Sequence, residues 1–308
     1  MINRNLIRIR VVQLIYSWYQ NNHRDLRNTE KELLFGLQKS YDLYFYLLLL
    51  MVEITKMYEN RVENNKYKLL PTEEYLNPNM NIINNRFVSQ LRNNEMLNKH
   101  LSTRPMSWQE NDSFIKKLLD IILESDTYDA YAKIEKPTYA QDREFWRKTF
   151  KQFIYLNEEL DDILEDESIY WNDDVEIVQT FVMKTIKQFT EKAGTHQPLL
   201  PMFKDDEDRQ YALTLLHDTI LNEKKYRELI EKYTETWDFE RIAFMDMVIM
   251  QTALAEIFTF ESIPTTVTLN EYIEIAKSYS TPKSGLFING ILDSIVNDLK
   301  KENKIFKN

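Results

Sequence analysis

Hydrophobic residues recur at intervals of three or four along most of the chain, which is the spacing of one face of an α-helix. The first such stripe consists of Ile7, Val11, Leu14 and Trp18. A longer pattern predicts one helix over residues 28–62. The chain is therefore expected to begin with two helices.

The rest of the chain is helical in pattern as well, apart from two interruptions. Residues 63–112 are rich in asparagine and contain three prolines, so we expect a loosely structured connector with one short helix around residues 86–97. The second interruption covers residues 194–201. Further helices are predicted over residues 113–132, 141–166, 174–193, 206–233, 239–260, 268–279 and 282–301. No segment requires a strand, and the predicted fold class is all-α.

Local signals refine the last two predicted helices. Thr268 and Glu271 have the T-x-x-E spacing of a capping box, in which each side chain bonds the backbone N–H of the other residue. Thr281 followed by Pro282 has the form of a cap and a first-turn proline. Gly290 stands inside the last helix, where glycine costs about 1 kcal/mol relative to alanine. Close packing against a neighbouring helix would explain this glycine.

Composition narrows the class of protein. Only 4 glycines and 8 prolines occur in 308 residues, which favours long helices over short strands and tight turns. Cysteine is absent, which excludes disulfides, thiol nucleophiles and cysteine-based zinc sites and fits a cytoplasmic location. The apolar run over residues 43–52 has about half of the roughly 20 residues needed to cross a bilayer, so we expect a buried helix and no membrane partner.

No set of residues points to catalysis. The four histidines lack the spacing of metal ligands, and the glycine-rich loops that bind nucleotides are missing. An acidic run over residues 158–167 could in principle bind a metal or share a proton, but a solvated helix face is the better explanation. We therefore expect no enzyme, no metal, no cofactor and no small-molecule substrate.

The charge distribution bears on nucleic-acid binding. A net charge of -10 argues against RNA binding by the surface as a whole. However, Arg4, Arg8 and Arg10 precede the first acidic residue, Asp25. The sequence therefore allows a small basic patch on an acidic protein.

Four segments resemble the NusB family. Residues 268–279 (TLNEYIEIAKSY) and 284–293 (SGLFINGILD) are similar to its N-E-x-I-E-L-A-K helix and its S-x-x-F-V-N-G-V-L-D motif. Residues 252–257 (TALAEI) are similar to I-A-L-Y-E-L, with alanine in place of the tyrosine. Residues 8–18 (RIRVVQLIYSW) are similar to the arginine-rich opening and the V-Q-A-L-Y-S-W of the family.

This resemblance implies a NusB-like pair of helical subdomains together with an additional helical insertion. We expect an RNA-binding arm and first helix over residues 1–24, an insertion of unknown role over residues 25–204, and a NusB-like helical core over residues 205–308. The implied function is not catalytic. NusB proteins bind the single-stranded boxA element of nascent ribosomal RNA jointly with the ribosomal protein NusE. The implied partners are boxA-type RNA, NusE and the RNA polymerase antitermination complex.

The resemblance also implies roles for individual residues. RNA contacts are expected from Arg4, Arg8, Arg10, Tyr16, Lys283 and Phe287, and a NusE contact from Asp246. Arginine suits phosphate and base recognition, and an exposed aromatic ring can stack on an unpaired base. Asn5 and Leu6 stand where the family usually has further arginines. Each of the expected contact residues could instead have an ordinary surface or packing role.

Two rival functions stay open. A protein-only scaffold in transcription or ribosome assembly, without RNA affinity, would fit the acidic insertion and the missing arginines. Lys283 and Phe287 argue against it. An RNA methyltransferase is the other rival, because NusB-like domains also occur fused to such enzymes. That function needs a glycine-rich α/β domain, for which this chain lacks the composition.

Overall fold

A computed structural model of the chain describes residues 1–21, 25–68, 72–234 and 243–307. All regular elements in these residues are helical, which confirms the predicted all-α class. The helices are α1 (Arg4–Gln20), α2 (Leu26–Asn65), α3 (Glu73–Leu76), α4 (Arg86–Arg92), α5 (Glu95–Thr103), α6 (Asp112–Leu123), α7 (Asp126–Ala132), α8 (Tyr139–Thr149), α9 (Glu158–Glu167), α10 (Val175–Gln188), α11 (Asp206–Leu221), α12 (Glu223–Thr234), α13 (Phe244–Thr259), α14 (Thr265–Tyr279) and α15 (Ser284–Lys301).

The chain divides into two compact units, which we call the central unit and the terminal unit. The central unit contains Met1 and residues 38–202, and the terminal unit contains residues 2–37 and 203–308. Helix α2 contributes residues to both units. The domain boundaries expected after residues 24 and 204 stay a prediction, because compactness alone does not show that a segment folds independently.

The asparagine-rich part of the central unit is more helical than expected. The side chain of Asn85 accepts the backbone N–H of Val88, and that of Asn94 accepts the backbone N–H of Leu97. Such caps satisfy helical N–H groups that have no partner within the helix. These asparagines therefore start α4 and α5, and the expected connector with a single short helix is wrong.

Helix α13 is the centre of the terminal unit. Every residue from Asp246 to Ile257 is buried, and α1, α11, α12, α14 and α15 all pack against this helix. A helix that is covered all round must be apolar on all faces, and α13 is apolar except at a few positions. Its contacts with α1 join Arg8 to Glu256 and Tyr16 to Phe244, so the two helices run antiparallel.

The ends of several helices differ from the sequence predictions. Helix α14 begins at Thr265, which places Thr268 in the second turn, so the predicted capping box is wrong. Helix α15 begins at Ser284, whose hydroxyl accepts the backbone N–H of Thr281 at 3.1 Å. Thr281, which was expected to cap this helix, thus donates a hydrogen bond to the first residue of the helix instead.

Some long predicted helices are interrupted in the structure, and the start of one predicted helix lies outside the described residues. Residues 124–125 separate α6 from α7, and Asn222 separates α11 from α12. The predicted start at Phe239 lies outside the described residues. Within the described ranges, no helix is both long and apolar enough to span a bilayer.

The close packing expected around Gly290 is wrong. This residue is exposed on α15, and a Cβ atom built on it would meet no atom beyond its own helical backbone within 4 Å. Packing within the terminal unit therefore does not require glycine at this position.

Candidate nucleic-acid interface

Arg8, the central arginine of α1, is buried in the terminal unit. Its side chain is 4% exposed, and it forms a bidentate ion pair with Glu256 of α13. The Nε atom lies 2.7 Å from Oε2 of Glu256, and the Nη2 atom lies 2.9 Å from Oε1. The Nη1 atom lies 3.4 Å from a carboxylate oxygen of Glu271 on α14. One guanidinium therefore links three helices.

Glu256 is the acceptor at the centre of this network and has no exposed surface. Its carboxylate also accepts the hydroxyl of Thr268 at 2.8 Å, the hydroxyl of Tyr272 at 3.3 Å and the hydroxyl of Tyr211. Burial by itself would raise the pKa of Glu256, but the hydrogen bonds and charge of Arg8 and the hydroxyl groups lower it below its ordinary value. The carboxylate is thus held as an anion inside the helical core.

The other two arginines of α1 differ from each other in exposure. The side chain of Arg4 is 37% exposed; its Nε atom lies 3.3 Å from Asp208, and its guanidinium lies 5.0 Å from the ring centroid of Tyr211. Arg10 is buried. Of the three arginines expected to bind RNA, Arg4 therefore presents the most surface to solvent.

An aromatic cluster covers the other end of α1. Tyr16 is 37% exposed, and its ring meets that of Phe244 edge to face at a centroid distance of 5.2 Å. Tyr19 contacts the same Phe244 ring at 6.1 Å. The sequence analysis did not identify Phe244, an exposed aromatic residue at the start of a helix that is otherwise apolar.

Asp246 of α13 is hydrogen-bonded to the turn before α15 that carries Lys283. The carboxylate of Asp246 accepts the hydroxyl of Ser280 at 2.5 Å, and the hydroxyl of Ser284 donates to that of Ser280 at 3.1 Å. Asp246 is buried, whereas Lys283 is exposed. Asp246, the expected NusE contact, thus stabilises the turn that carries Lys283, an expected RNA contact.

Helix α15 begins with two apolar side chains at the surface. Leu286 is 83% exposed and follows the turn that carries Lys283. Phe287, the next residue, is half-buried. Sequence reasoning missed Leu286, although its place between the Ser284 and Phe287 positions of the motif could have marked it as a surface residue.

Apart from Arg10, the expected site residues fall into two groups. Arg4 and Arg8 lie at the end of α1 that faces Tyr211 and Glu256. Tyr16 lies about 18 Å along the helix axis from Arg4, at 1.5 Å per residue. Tyr16 contacts Phe244 at the start of α13. Asp246, two residues further along this helix, accepts a hydrogen bond from Ser280 in the turn that carries Lys283. In the described part of the chain, no cluster of three or more His, Asp or Glu residues could hold a metal ion.

Comparison with known proteins identifies relatives for part of the chain. A model described as the NusB family matches residues 173–297. The transcription antitermination protein NusB of Salinibacter ruber is 36% identical over 132 residues, which are 41% of this chain and 82% of that protein. The transcription antitermination protein NusB of Koribacter versatilis is 40% identical over 100 residues, which are 32% of this chain and 68% of that protein.

A third relative is similar over a shorter stretch. The transcription antitermination protein NusB of Natranaerobius thermophilus is 44% identical over 92 residues, which are 30% of this chain and 66% of that protein. No solved structure matches this chain. The residues matched by the family model include Asp246, Glu256, Lys283 and Phe287, and they begin at residue 173, ahead of the NusB-like core expected from residue 205.

Proposed function

Because this chain belongs to the NusB family, we propose that it is a transcription antitermination factor that binds boxA-type RNA jointly with the ribosomal protein NusE. In this role it joins the RNA polymerase antitermination complex and supports transcription of ribosomal RNA. In this role the protein catalyses no reaction and uses no cofactor. The role rests on recognition of RNA and protein surfaces.

The turn before α15 is the observation that carries this proposal. It presents the exposed cation of Lys283 beside Leu286 and Phe287, and it lies inside the segment matched by the family model. A cation next to an aromatic ring at the surface is the combination that holds single-stranded RNA, because the cation attracts phosphate and the ring stacks on a base. We assign the same two roles to Arg4 and Tyr16 on α1.

Arg8 and Arg10 differ from Arg4 because both are buried. A direct contact between Arg8 and RNA would require its guanidinium to leave Glu256, which would strand a buried carboxylate. We therefore assign Arg8 the role of holding α1 in the position from which Arg4 and Tyr16 reach RNA. Direct contacts of Arg8 and Arg10 stay predictions.

We assign Asp246 an indirect role in NusE binding, in which it stabilises a turn that contacts NusE. Asp246 is 5% exposed and its carboxylate bonds Ser280, so it shapes the turn rather than offering a charge to a basic partner. An exposed turn fixed in this way can present a preorganised surface to NusE, which reduces the cost of ordering it on binding.

A protein-only scaffold is the second candidate function, and one observation favours it. Two of the three arginines expected to bind RNA are buried in a chain with a net charge of -10. Under this alternative, NusE binds and RNA does not.

Fluorescence anisotropy of a labelled boxA RNA tests both candidates. The RNA is titrated with the full chain, with and without NusE, at two salt concentrations. Tighter binding with NusE, weakened by Phe287→Ala and by salt, supports the antitermination role. If NusE binds the chain but RNA affinity is absent, the scaffold function replaces it. Phe306→Ala serves as the control, because Phe306 is an exposed phenylalanine outside the proposed site.

A further inference from the structure

The central unit contains a groove that the proposed function does not use. Its volume is about 580 Å³, which falls within the range of roughly 300–1,000 Å³ typical of ligand sites. The second half of α2, the segment around α3, and helices α6 and α7 form its walls. All lining residues belong to the central unit and lie before residue 173, where the family match begins.

The charge of this groove is opposite to that of the chain. Its lining residues include the cations Arg61, Lys68 and Lys116 and a single carboxylate, Asp120. Arg61 pairs with Asp120 at 2.6 Å, whereas Lys68 and Lys116 are exposed. A groove with excess positive charge in a protein with a net charge of -10 favours an anionic ligand, because field lines concentrate in a concave site.

Aromatic rings stand among these cations. Tyr75 and Tyr128 are half-buried lining residues, so part of each side chain remains accessible to a ligand. The Nζ atom of Lys68 lies 4.1 Å from the ring centroid of Tyr75. The amides of Asn65 and Asn77 line the same groove. Rings stack on bases, amides bond base edges and lysines attract phosphates, and single-stranded nucleic acid carries all three kinds of group.

We propose that this groove binds a single-stranded segment of RNA. It is a second RNA contact, separate from the turn before α15, and it gives the central unit a function of its own. The expected recognition is tolerant of sequence, because stacking on tyrosine and phosphate attraction to lysine do not depend strongly on which base is present.

The first experiment measures anisotropy of a labelled oligouridine of about twelve nucleotides, a length typical of such sites, with the full chain and without NusE. The test variant is Lys68→Glu with Lys116→Glu. The control is Lys151→Glu with Lys184→Glu, two exposed lysines of the central unit outside the groove. We expect the test pair to weaken binding about tenfold or more and to reduce the slope of log Kd against log salt by about 1.4, at about 0.7 per phosphate contact. Equal weakening by both pairs, or none by the test pair, overturns the proposal.

A second experiment locates the RNA directly. A thiouridine-containing RNA is photo-crosslinked to the unmodified chain, and the crosslinked peptides are identified by mass spectrometry. We expect peptides that contain Tyr75 or Tyr128, and we expect Tyr128→Leu to weaken oligouridine binding at least about fivefold through lost stacking. Crosslinks confined to the terminal unit overturn the proposal.

The same variants separate this inference from the proposed function. Binding of boxA RNA in the presence of NusE reports on the terminal unit, and oligouridine binding without NusE reports on the groove. If boxA RNA binds while oligouridine does not, the groove proposal fails and the proposed function stands. If the test variant instead loses affinity for NusE and keeps its affinity for oligouridine, the groove is a protein-binding site and the RNA assignment is overturned.

Discussion

The arginines at the start of the chain illustrate how one residue type serves different purposes within a single helix. Arg8 and Arg4 lie one turn apart on α1, yet the first is 4% exposed and the second 37%. Arg8 meets a carboxylate with no exposed surface, whereas Arg4 meets Asp208 near the solvent. The energetic consequences of removing them are therefore expected to differ.

Arg8→Ala should lower the free energy of unfolding by about 3–5 kcal/mol, because it leaves the carboxylate of Glu256 buried without its charge partner. Arg4→Ala is the matched control and should cost no more than about 1 kcal/mol, since its ion pair is partly solvated. Urea unfolding of both variants at neutral pH measures the difference. Equal losses for the two variants would show that the buried network does not stabilise the fold.

The pH dependence of this loss follows from the pKa of Glu256. Burial opposes ionisation of Glu256, but Arg8 and the hydroxyl donors hold its pKa below the ordinary 4.5. A lowered folded-state pKa stabilises the fold above the ordinary pKa, and the stabilisation disappears as the pH falls through the lowered value. The difference between the unmodified chain and Arg8→Ala should therefore be largest at neutral pH and shrink as the pH falls towards the lowered pKa of Glu256. Urea titrations across this range check it; a difference that stays constant would contradict the assignment.

Among the helices, periodicity predicted the existence of most elements but not their ends. In the predicted stripe, Ile7, Val11 and Leu14 are buried and Trp18 is half-buried, as a period of three to four residues predicts. The T-x-x-E pattern misled, because the same spacing places Thr268 and Glu271 on one helix face, where both reach the Arg8 network. Pattern alone does not separate a cap from a buried contact, since both use neighbouring turns.

The burial of Arg8 had a signal in the sequence that went unused. Arg8 shares a helix face with Val12 and Ile15, and Glu256 stands within an apolar run. Two opposite charges that share helix faces with apolar residues are expected to pair with each other in the core, because an unpaired buried charge is costly. The identity of the two partners still depends on which helices pack together, and periodicity within one helix carries no information about that.

Gly290 of α15 supports a prediction at the level of one helix. Gly290→Ala should raise the free energy of unfolding by up to about 1 kcal/mol, because alanine favours the helix and its Cβ meets no neighbour within 4 Å. Gly285→Ala is the comparison, where the Cβ would lie 3.3 Å from Cγ of Lys277 and part of the gain is lost. Thermal or urea unfolding of both variants measures this. A loss of stability in Gly290→Ala would mean that the glycine has a structural role.

On the scale of the whole molecule, family membership and the two-unit division describe different parts of the chain. The family match runs from residue 173 to residue 297, so it includes α10 in the central unit as well as α11 to α14 and most of α15 in the terminal unit. The sequence analysis placed the start of the NusB-like core at residue 205, because strong motifs mark only the segments in which residue types are most restricted. Most of the central unit lies outside the match, and for it the sequence offered no function.

The net charge of -10 limits what RNA binding can rest on, and this leads to a prediction about the proposed site. Because 49 acidic residues outnumber 39 Lys and Arg residues, each phosphate contact at the proposed site should be visible in the salt dependence of boxA RNA binding with NusE. Lys283→Ala should flatten the slope of log Kd against log salt by about 0.7, whereas Phe287→Ala should weaken binding by about 1–3 kcal/mol and leave the slope unchanged. Lys224→Ala, an exposed lysine of α12, should change neither quantity. If Lys283→Ala and Lys224→Ala flatten the slope equally, attraction is spread over the surface, and the turn before α15 has no particular role in RNA binding.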